Sequence, residues 1–369
     1  MTTCETISKI DLFFRPFLVE NYPGFATAFY SYGRKLFLNR LIREKPAQVS
    51  LPQELHRTFW GIKFNSPIFN AAGMFKDGNG YGLACLQAAG AFLAGTITPK
   101  PRKGNFKKWI LHPFIPYPRS RSSSNWMGLP NPGFKKVIDI LNRIHKQNYV
   151  PIGISLASNG DGFSDLEELC EVLHEVEKSN VDFVEVNESC PNIEHGKVNL
   201  ARLDSNFLNR IELISDKFLK KRKRNLPVIL KLSNDFEPES VPLLLDALLD
   251  LGFDGVNFGN TSTNYDECRK FINSNEVKAY YYFTKLFGGG VSGLPLKHKS
   301  FTLTQNAMKH LQSKKLNREF YVIRTGGIYD YEDYQKSSNI GISIFQWFTG
   351  YFENFIKYGH KLYQKFFRV

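Results

Sequence analysis

Cys190 lies at the end of the run Val181-Asp-Phe-Val-Glu-Val-Asn-Glu-Ser-Cys-Pro-Asn192. The first half alternates branched and aromatic residues with carboxylates, which reads as a short buried strand. The second half is small, polar and turn-forming. A free thiol has a pKa of about 8.5 and is partly ionised near neutrality, so Cys190 in such a setting can act as a base or nucleophile. The alternative is an inert core thiol beside an Asn/Pro turn. Lys231 closes the apolar run Val228-Ile-Leu-Lys231. Its ammonium is expected to emerge at the strand end with its stem in the core, as a ligand-binding cation or a snorkelling one. Asn125, Asn187, Asn192 and Asn260 each offer paired donors and an acceptor, and as a set they suit a flat, amide-rich ring. Gly326-Gly327 and Thr349-Gly350 supply backbone N–H groups of the kind that cradle a phosphate, and Gly288-Gly-Gly-Val-Ser-Gly293 offers a third such loop.

These residues need a scaffold that gathers strand ends. Apolar strand candidates fall at 67–71, 91–96, 150–156, 182–187, 227–231, 255–258, 320–324 and 341–345, with helical patterns between most of them, such as 165–179 and 241–251. Strands alternating with helices in this number predict a closed (β/α)8 TIM barrel, an α/β fold. Each strand ends in polar residues or glycine: Ala71-Ala-Gly73 with Lys76, then Thr96, Ser155, Asn187 with Cys190, Lys231, Asn260-Thr261, Gly326-Gly327 and Phe348-Thr349. In a barrel all of them face one mouth, where catalytic groups sit. Residues 97–149 and 262–289 are too long for simple crossovers and are expected to form a cap.

Ahead of the barrel, residues 1–46 read as a small amphipathic helical extension, joined at Pro46–Pro52 to a catalytic domain over 52–369. Phe25, Ala28, Phe29, Tyr32 and Leu36 make one apolar stripe at helical spacing. Pro16 and Pro23 are expected to break it from the earlier segment Ile10–Phe14, leaving two short helices. Arg34, Lys35, Arg40, Arg43 and Lys45 surround the second, so the piece suits a membrane interface or packs on the main domain. The five cysteines contain no C-x-x-C pair, which argues against a disulfide scaffold or structural zinc. No apolar run is long enough to span a bilayer. The net charge of +13 is a field that nucleic acid, anionic lipid or a small anion could use, or a solvated face with no partner.

With these motifs in order, the chain resembles the dihydroorotate dehydrogenases from about residue 52 onward. The resemblance is carried by Asn70-Ala-Ala-Gly-Met-Phe-Lys-Asp-Gly78, Gly95-Thr-Ile-Thr-Pro99, Asn125-Trp-Met-Gly-Leu129, Asn187-Glu-Ser-Cys-Pro-Asn192, Leu230-Lys231, Asn260-Thr261, Ser292-Gly293, Thr325-Gly-Gly327 and Phe348-Thr-Gly350. It implies FMN held by Ala72, Gly73, Lys76, Thr96, Asn187, Lys231, Gly293, Gly327, Phe348 and Thr349. It implies an orotate ring gripped by Lys76, Asn125, Met127, Gly128, Leu129, Asn187, Asn192, Asn260 and Thr261. Cys190 would take the C5 proton of dihydroorotate while hydride leaves C6 for the flavin, and Lys76 would meet the substrate carboxylate.

Within the family the signals divide. The amphipathic N-terminus and Gly95-Thr-Ile-Thr-Pro-Lys-Pro101 resemble the membrane-associated, quinone-reducing class. Cys190, Ile193 and Leu129 resemble the soluble class, in which a thiol needs no hydroxyl relay. Ser155 and Gly259 stand where the quinone class usually carries Asn and Thr. The reading is dihydroorotate oxidation in pyrimidine biosynthesis with quinone as acceptor, on an enzyme in the cytoplasm held peripherally on the inner membrane by residues 1–46 and binding no nucleic acid. Fumarate or NAD as acceptor, and a dihydrouridine synthase-like enzyme acting on RNA, are the alternatives. Removing residues 1–46 is expected to abolish quinone turnover and leave flavin reduction in place.

Overall fold

The protein was analysed as a computed structural model that describes residues 1–160, 162–188 and 203–369. Cys190, Asn192 and Ile193 lie outside the described residues. Eight parallel strands form the central sheet: Ile68–Asn70, Phe92–Ile97, Ile152–Leu156, Phe183–Asn187, Val228–Ser233, Gly255–Asn260, Tyr321–Thr325 and Ile344–Trp347. Hydrogen-bonded ladders run from the first strand through the eighth and back down to the second. The remaining seam is stitched by a side chain. Asn70 Oδ1 accepts from the Leu93 N–H at 3.2 Å and its Nδ2 donates to the Leu93 carbonyl at 2.8 Å, which mimics a ladder between strands one and two. Beyond it, the Gly95 N–H reaches the Phe75 carbonyl at 3.0 Å. The barrel expected from the strand rhythm is present.

Each strand lies within a few residues of its expected place. The largest shift is the eighth, which begins at Ile344 because Gly341 turns at φ 98°, a left-handed conformation that no strand continues. A hairpin, Arg57–Phe59 with Ile62–Phe64, closes the amino end of the barrel. Its Phe59, Trp60 and Phe64 pack with Phe69, Leu93, Phe183, Ile229, Ile323 and Ile344, the lowest inward layer of the strands. The two overlong segments build a cap: strands Phe114–Tyr117, Ser122–Asn125 and Gly290–Gly293 form an antiparallel sheet, and helix Val277–Leu286 lies beside it.

Two helices of 19 residues each precede the barrel, α1 (Thr3–Asn21) and α2 (Pro23–Leu41). The expectation of short helices broken at Pro16 fails. Proline there removes one N–H partner, that of the Leu12 carbonyl, but Leu12 is exposed and water can take its place. Pro23 does separate the helices, at the first position of α2, where its missing N–H costs nothing. Cys4, Leu38 and Leu41 join the main core, while Val19, Ala26 and Tyr30 pack with the cap. Of the two directions open to the stripe, the structure shows the outward one. Phe25, Phe29, Tyr32 and Leu36 are all exposed, Leu36 by 70 %, as are Ile7, Ile10, Phe13, Phe14 and Phe17 on α1.

Candidate active site

Side chains alternate along a strand, so Phe183, Glu185 and Asn187 share the inward face of the fourth strand in three successive layers. Phe183 belongs to the apolar floor. Above it, Glu185 and Lys231 form an ion pair at 3.0 Å, and both are buried. The other carboxylate oxygen of Glu185 accepts from Asn257 Nδ2 at 2.7 Å and Gln346 Nε2 at 2.9 Å. Thr325 Oγ1 donates to Asn257 Oδ1 at 2.8 Å, so the layer is a closed polar network. A buried pair with its remaining lone pairs satisfied tolerates desolvation; removing one partner typically costs about 3–5 kcal/mol. Lys231 therefore does not protrude at the mouth as the strand-end reading had it. It is 2 % exposed, and its ammonium is held at the floor of the cleft.

At the mouth the third layer opens into a cleft with about 930 Å³ of empty space, part of it open to solvent. Ala72, Gly73, Lys76, Thr96, Asn187, Lys231, Gly293, Gly327, Phe348 and Thr349 all line it, as do Asn125, Met127, Leu129, Asn260 and Thr261. Asn260 Nδ2 donates to Asn187 Oδ1 at 2.6 Å, and Asn187 Nδ2 donates to Thr96 Oγ1 at 3.2 Å. The amides of Asn187 and Asn260 are thus fixed in orientation by each other and by Thr96. Lys76 reaches the cleft beside Met127, with Nζ 3.7 Å from the thioether sulfur. Gly128 does not line the cleft. It turns the loop at φ 70°, its carbonyl accepts from Arg102 Nε at 3.2 Å, and a Cβ there would lie 2.2 Å from Asn105 Oδ1.

The far end of the cleft fits a phosphate. Gly326 and Gly327 turn at φ 115° and 68°, and a Cβ on Gly327 would lie 2.2 Å from Lys297 Cα. Helix Thr349–Tyr358 starts at the cleft with no side-chain cap on its first N–H groups among the described residues. Unfilled N–H groups at a helix start bind anions readily. The loop at 288–293 is instead the third strand of the cap sheet, and of its glycines only Gly293 reaches the cleft.

Sequence reasoning missed Glu185, Asn257 and Gln346, although the two-residue period already placed Glu185 between Phe183 and Asn187 on one face. The two departures from the quinone-class pattern have local explanations. Ser155 Oγ lies 3.1 Å from Thr96 Oγ1, so it steadies a cleft hydroxyl from outside the lining. Gly259 lines the cleft, and a Cβ there would lie 2.5 Å from Asn257 Oδ1 and 2.7 Å from Thr325 Cβ. A larger residue would collide with the network around Glu185.

A second cleft lies between α2 and the mouth and shares Lys76 with the first. It is bordered by apolar Leu38, Ile42, Met74 and Phe75, and by Arg34, Lys35, Arg102, Lys103 and His112. Burial pushes the Arg34 guanidinium down to about 10, and its Nε has no hydrogen-bond partner among the described residues. Burial also lowers His112, despite its bond to the Lys103 carbonyl, and nearby Lys76 adds to the effect. Of the two N-terminal helices only α2 borders this cleft, which is cationic as well as apolar.

The family model described as "Dihydroorotate dehydrogenase" matches residues 54–366. A dihydroorotate dehydrogenase (quinone) of Coxiella burnetii is 27 % identical over 352 residues, covering 92 % of this chain and 91 % of that protein. One of Christiangramia forsetii is 29 % identical over 303 residues, covering 80 % of each. Among solved structures, ligand-free DHODH from Eimeria tenella superposes with a TM-score of 0.74 at 21 % identity, covering 90 % of this chain and 91 % of that one. The same enzyme in complex with ferulenol gives a TM-score of 0.72 at 21 % identity. At that identity the likeness speaks for the fold alone.

Proposed function

The chain belongs to the dihydroorotate dehydrogenase family, and from that premise we propose that it oxidises dihydroorotate to orotate in pyrimidine biosynthesis and passes the electrons to a quinone. The observation that carries the reading is the convergence of Lys76, Asn125, Asn187, Asn260 and Lys231 on one cleft that ends in a glycine cradle. The family is one of flavoproteins; FMN is the form this cleft suits, and Gly293, Gly327 and Thr349 would hold its phosphate while Lys231 would supply a cation to its ring. When bound, FMN supplies the two-electron acceptor for the hydride that leaves C6 of dihydroorotate.

The chain's own residues do the rest. Asn125, Asn187 and Asn260 bind the ring amides, with Asn192 from the segment after the fourth strand. Lys76 neutralises the substrate carboxylate. Cys190 as thiolate takes the C5 proton, which leaves the C5–C6 double bond of orotate when the hydride departs. Leu129 is apolar and buried beside Ala157, so its side chain offers a base no hydroxyl relay.

Residues 1–46 form the membrane and quinone-access segment, and 52–369 the catalytic domain. Support comes from the outward stripes of α1 and α2 and from the second cleft, which joins the first at Lys76. Leu38, Ile42, Met74 and Phe75 would border the quinone ring, with Arg34 and His112 near its carbonyl oxygens. No helix among the described residues is long and apolar enough to cross a membrane. The enzyme would sit peripherally on the cytoplasmic side of the inner membrane.

The purified protein should be yellow and release FMN on heating, as read by chromatography, and it should form orotate from dihydroorotate with a ubiquinone analogue. FAD in place of FMN, or no flavin after reconstitution, would overturn the cofactor assignment.

A further inference from the structure

The cap carries a hairpin whose tip the proposed chemistry does not use. Phe106–Lys107 pairs with Ile110–Leu111, so Lys108 and Trp109 form a two-residue turn with φ of 50° and 62°. Both turn residues are left-handed, a conformation hairpins usually give to Asn-Gly. Here it holds a lysine and a tryptophan, at a cost that the local backbone does not explain. Trp109 is 86 % exposed, and of the four tryptophans it is the only exposed one. Phe106, also exposed, packs edge-on against it with centroids 6.3 Å apart.

The backbone of the hairpin is anchored while the Trp109 side chain at its tip is exposed. Ile110 is buried in the cluster that contains Ala26 and Tyr30 of α2. Tyr32 Oη donates to the Trp109 carbonyl at 2.8 Å, and Ser31 Oγ accepts from the Phe114 N–H at 2.9 Å. Tyr32 belongs to the exposed stripe of α2, so the tryptophan continues that apolar surface onto the barrel's own cap.

Charge says what covers this surface. All four acidic residues of the first 46 are engaged: Glu5 with the Thr2 and His360 N–H groups, Asp11 with Arg15 and Tyr30, Glu20 with Arg119, and Glu44 with the Cys4 N–H and His360. Lys9, Lys35, Arg40, Arg43 and Lys45 are exposed, as are Lys103, Lys107 and Lys108 around the hairpin. An apolar, aromatic face rimmed by cations is complementary to an anionic bilayer, and tryptophan favours the headgroup region.

We propose that the hairpin at residues 106–111 inserts Trp109 into the headgroup layer of an anionic membrane, as a third contact beside α1 and α2; this rests on the membrane reading of residues 1–46. The two-residue turn then serves to project an aromatic anchor, and the bilayer is gripped by the catalytic domain as well as by its extension.

The test uses the full-length holoprotein with vesicles of equimolar phosphatidylcholine and phosphatidylglycerol, with brominated acyl chains as quencher. Trp109 emission is expected to be quenched on binding, with that quenching lost in Trp109→Phe. Trp109→Ser should bind vesicles roughly tenfold more weakly, the scale of one large apolar side chain, with unchanged dihydroorotate oxidation by a soluble dye. Vesicle binding with no quenching, and with Trp109→Ser binding as tightly as wild type, would overturn the hairpin's role and leave the helices as the contact. No vesicle binding at all would overturn both readings.

Discussion

A thiol base and a buried lysine are set by different surroundings, and each makes a separate demand on experiment. Cys190 follows a strand whose inward residues are described, and Leu129, which lines the cleft, is apolar and buried. Cys190→Ala is expected to bind orotate normally and to slow flavin reduction by about 10²–10⁴-fold in stopped-flow measurements. Cys190→Ser should also be slow at neutral pH, because Leu129 and Ile193 offer a serine no hydroxyl partner. Near-wild-type reduction by the serine variant would refute the thiol's special place. At the cleft floor, Glu185 balances Lys231. In Glu185→Gln the ammonium stands uncompensated at the cleft floor, so the anionic reduced form of a bound flavin would gain stability and the midpoint potential should rise, by about 30 mV for each 1.4 kcal/mol. A dye-equilibrated titration reads this, and a potential that falls or stays would contradict the pairing. Lys231 was legible in the sequence because a charged residue ending an apolar strand stands out. Glu185 was not, because a carboxylate within an alternating strand reads as solvent-facing until the strand is known to be buried on both sides.

The strands were legible for the same reason the helices α1 and α2 were only half so. A buried parallel strand is a short apolar run with few alternatives, and the seven-residue interval from 150 to 156 needed only trimming to Ile152–Leu156. Boundaries moved where turn chemistry intervened, as at Gly341. The barrel's closing seam was invisible, since nothing in Asn70 announces that its amide stands in for a strand ladder. For α2, helical spacing identified the stripe of Phe25, Phe29, Tyr32 and Leu36 but not its direction. Small residues, Ala26, Thr27 and Ser31, face the protein instead, and allow close approach to the cap.

The anchoring of α1 is expected to depend on pH. Burial works against the Glu44 charge, but hydrogen bonds from the Cys4 N–H, Thr2 and His360 outweigh it and hold the carboxyl below its ordinary range. A carboxyl lowered in the folded state stabilises above the ordinary carboxylate range and loses that contribution as pH falls through the folded value. Acidification should therefore loosen α1 before the barrel unfolds, as limited proteolysis across pH would detect, and Glu44→Gln should flatten that dependence. Equal pH profiles for the two proteins would contradict it.

At the scale of the whole molecule, the chain joins the proposed thiol-type site to an amphipathic extension with outward apolar faces. Truncation is a poor probe of that union. Cys4, Leu38 and Leu41 belong to the main core, so removing residues 1–46 would uncover the barrel as well as the proposed quinone route. Exposed positions such as Phe13 and Leu36 allow the apolar faces to be altered with the core intact. The acceptor itself is the most direct question, because the cationic and apolar cleft beside α2 is proposed to admit a lipid-borne oxidant toward the flavin site. The measurement is steady-state dihydroorotate oxidation by the full-length holoprotein with a ubiquinone analogue, fumarate and NAD compared side by side. The account predicts rapid turnover with the ubiquinone analogue and little with the other two; preference for fumarate or NAD would contradict it.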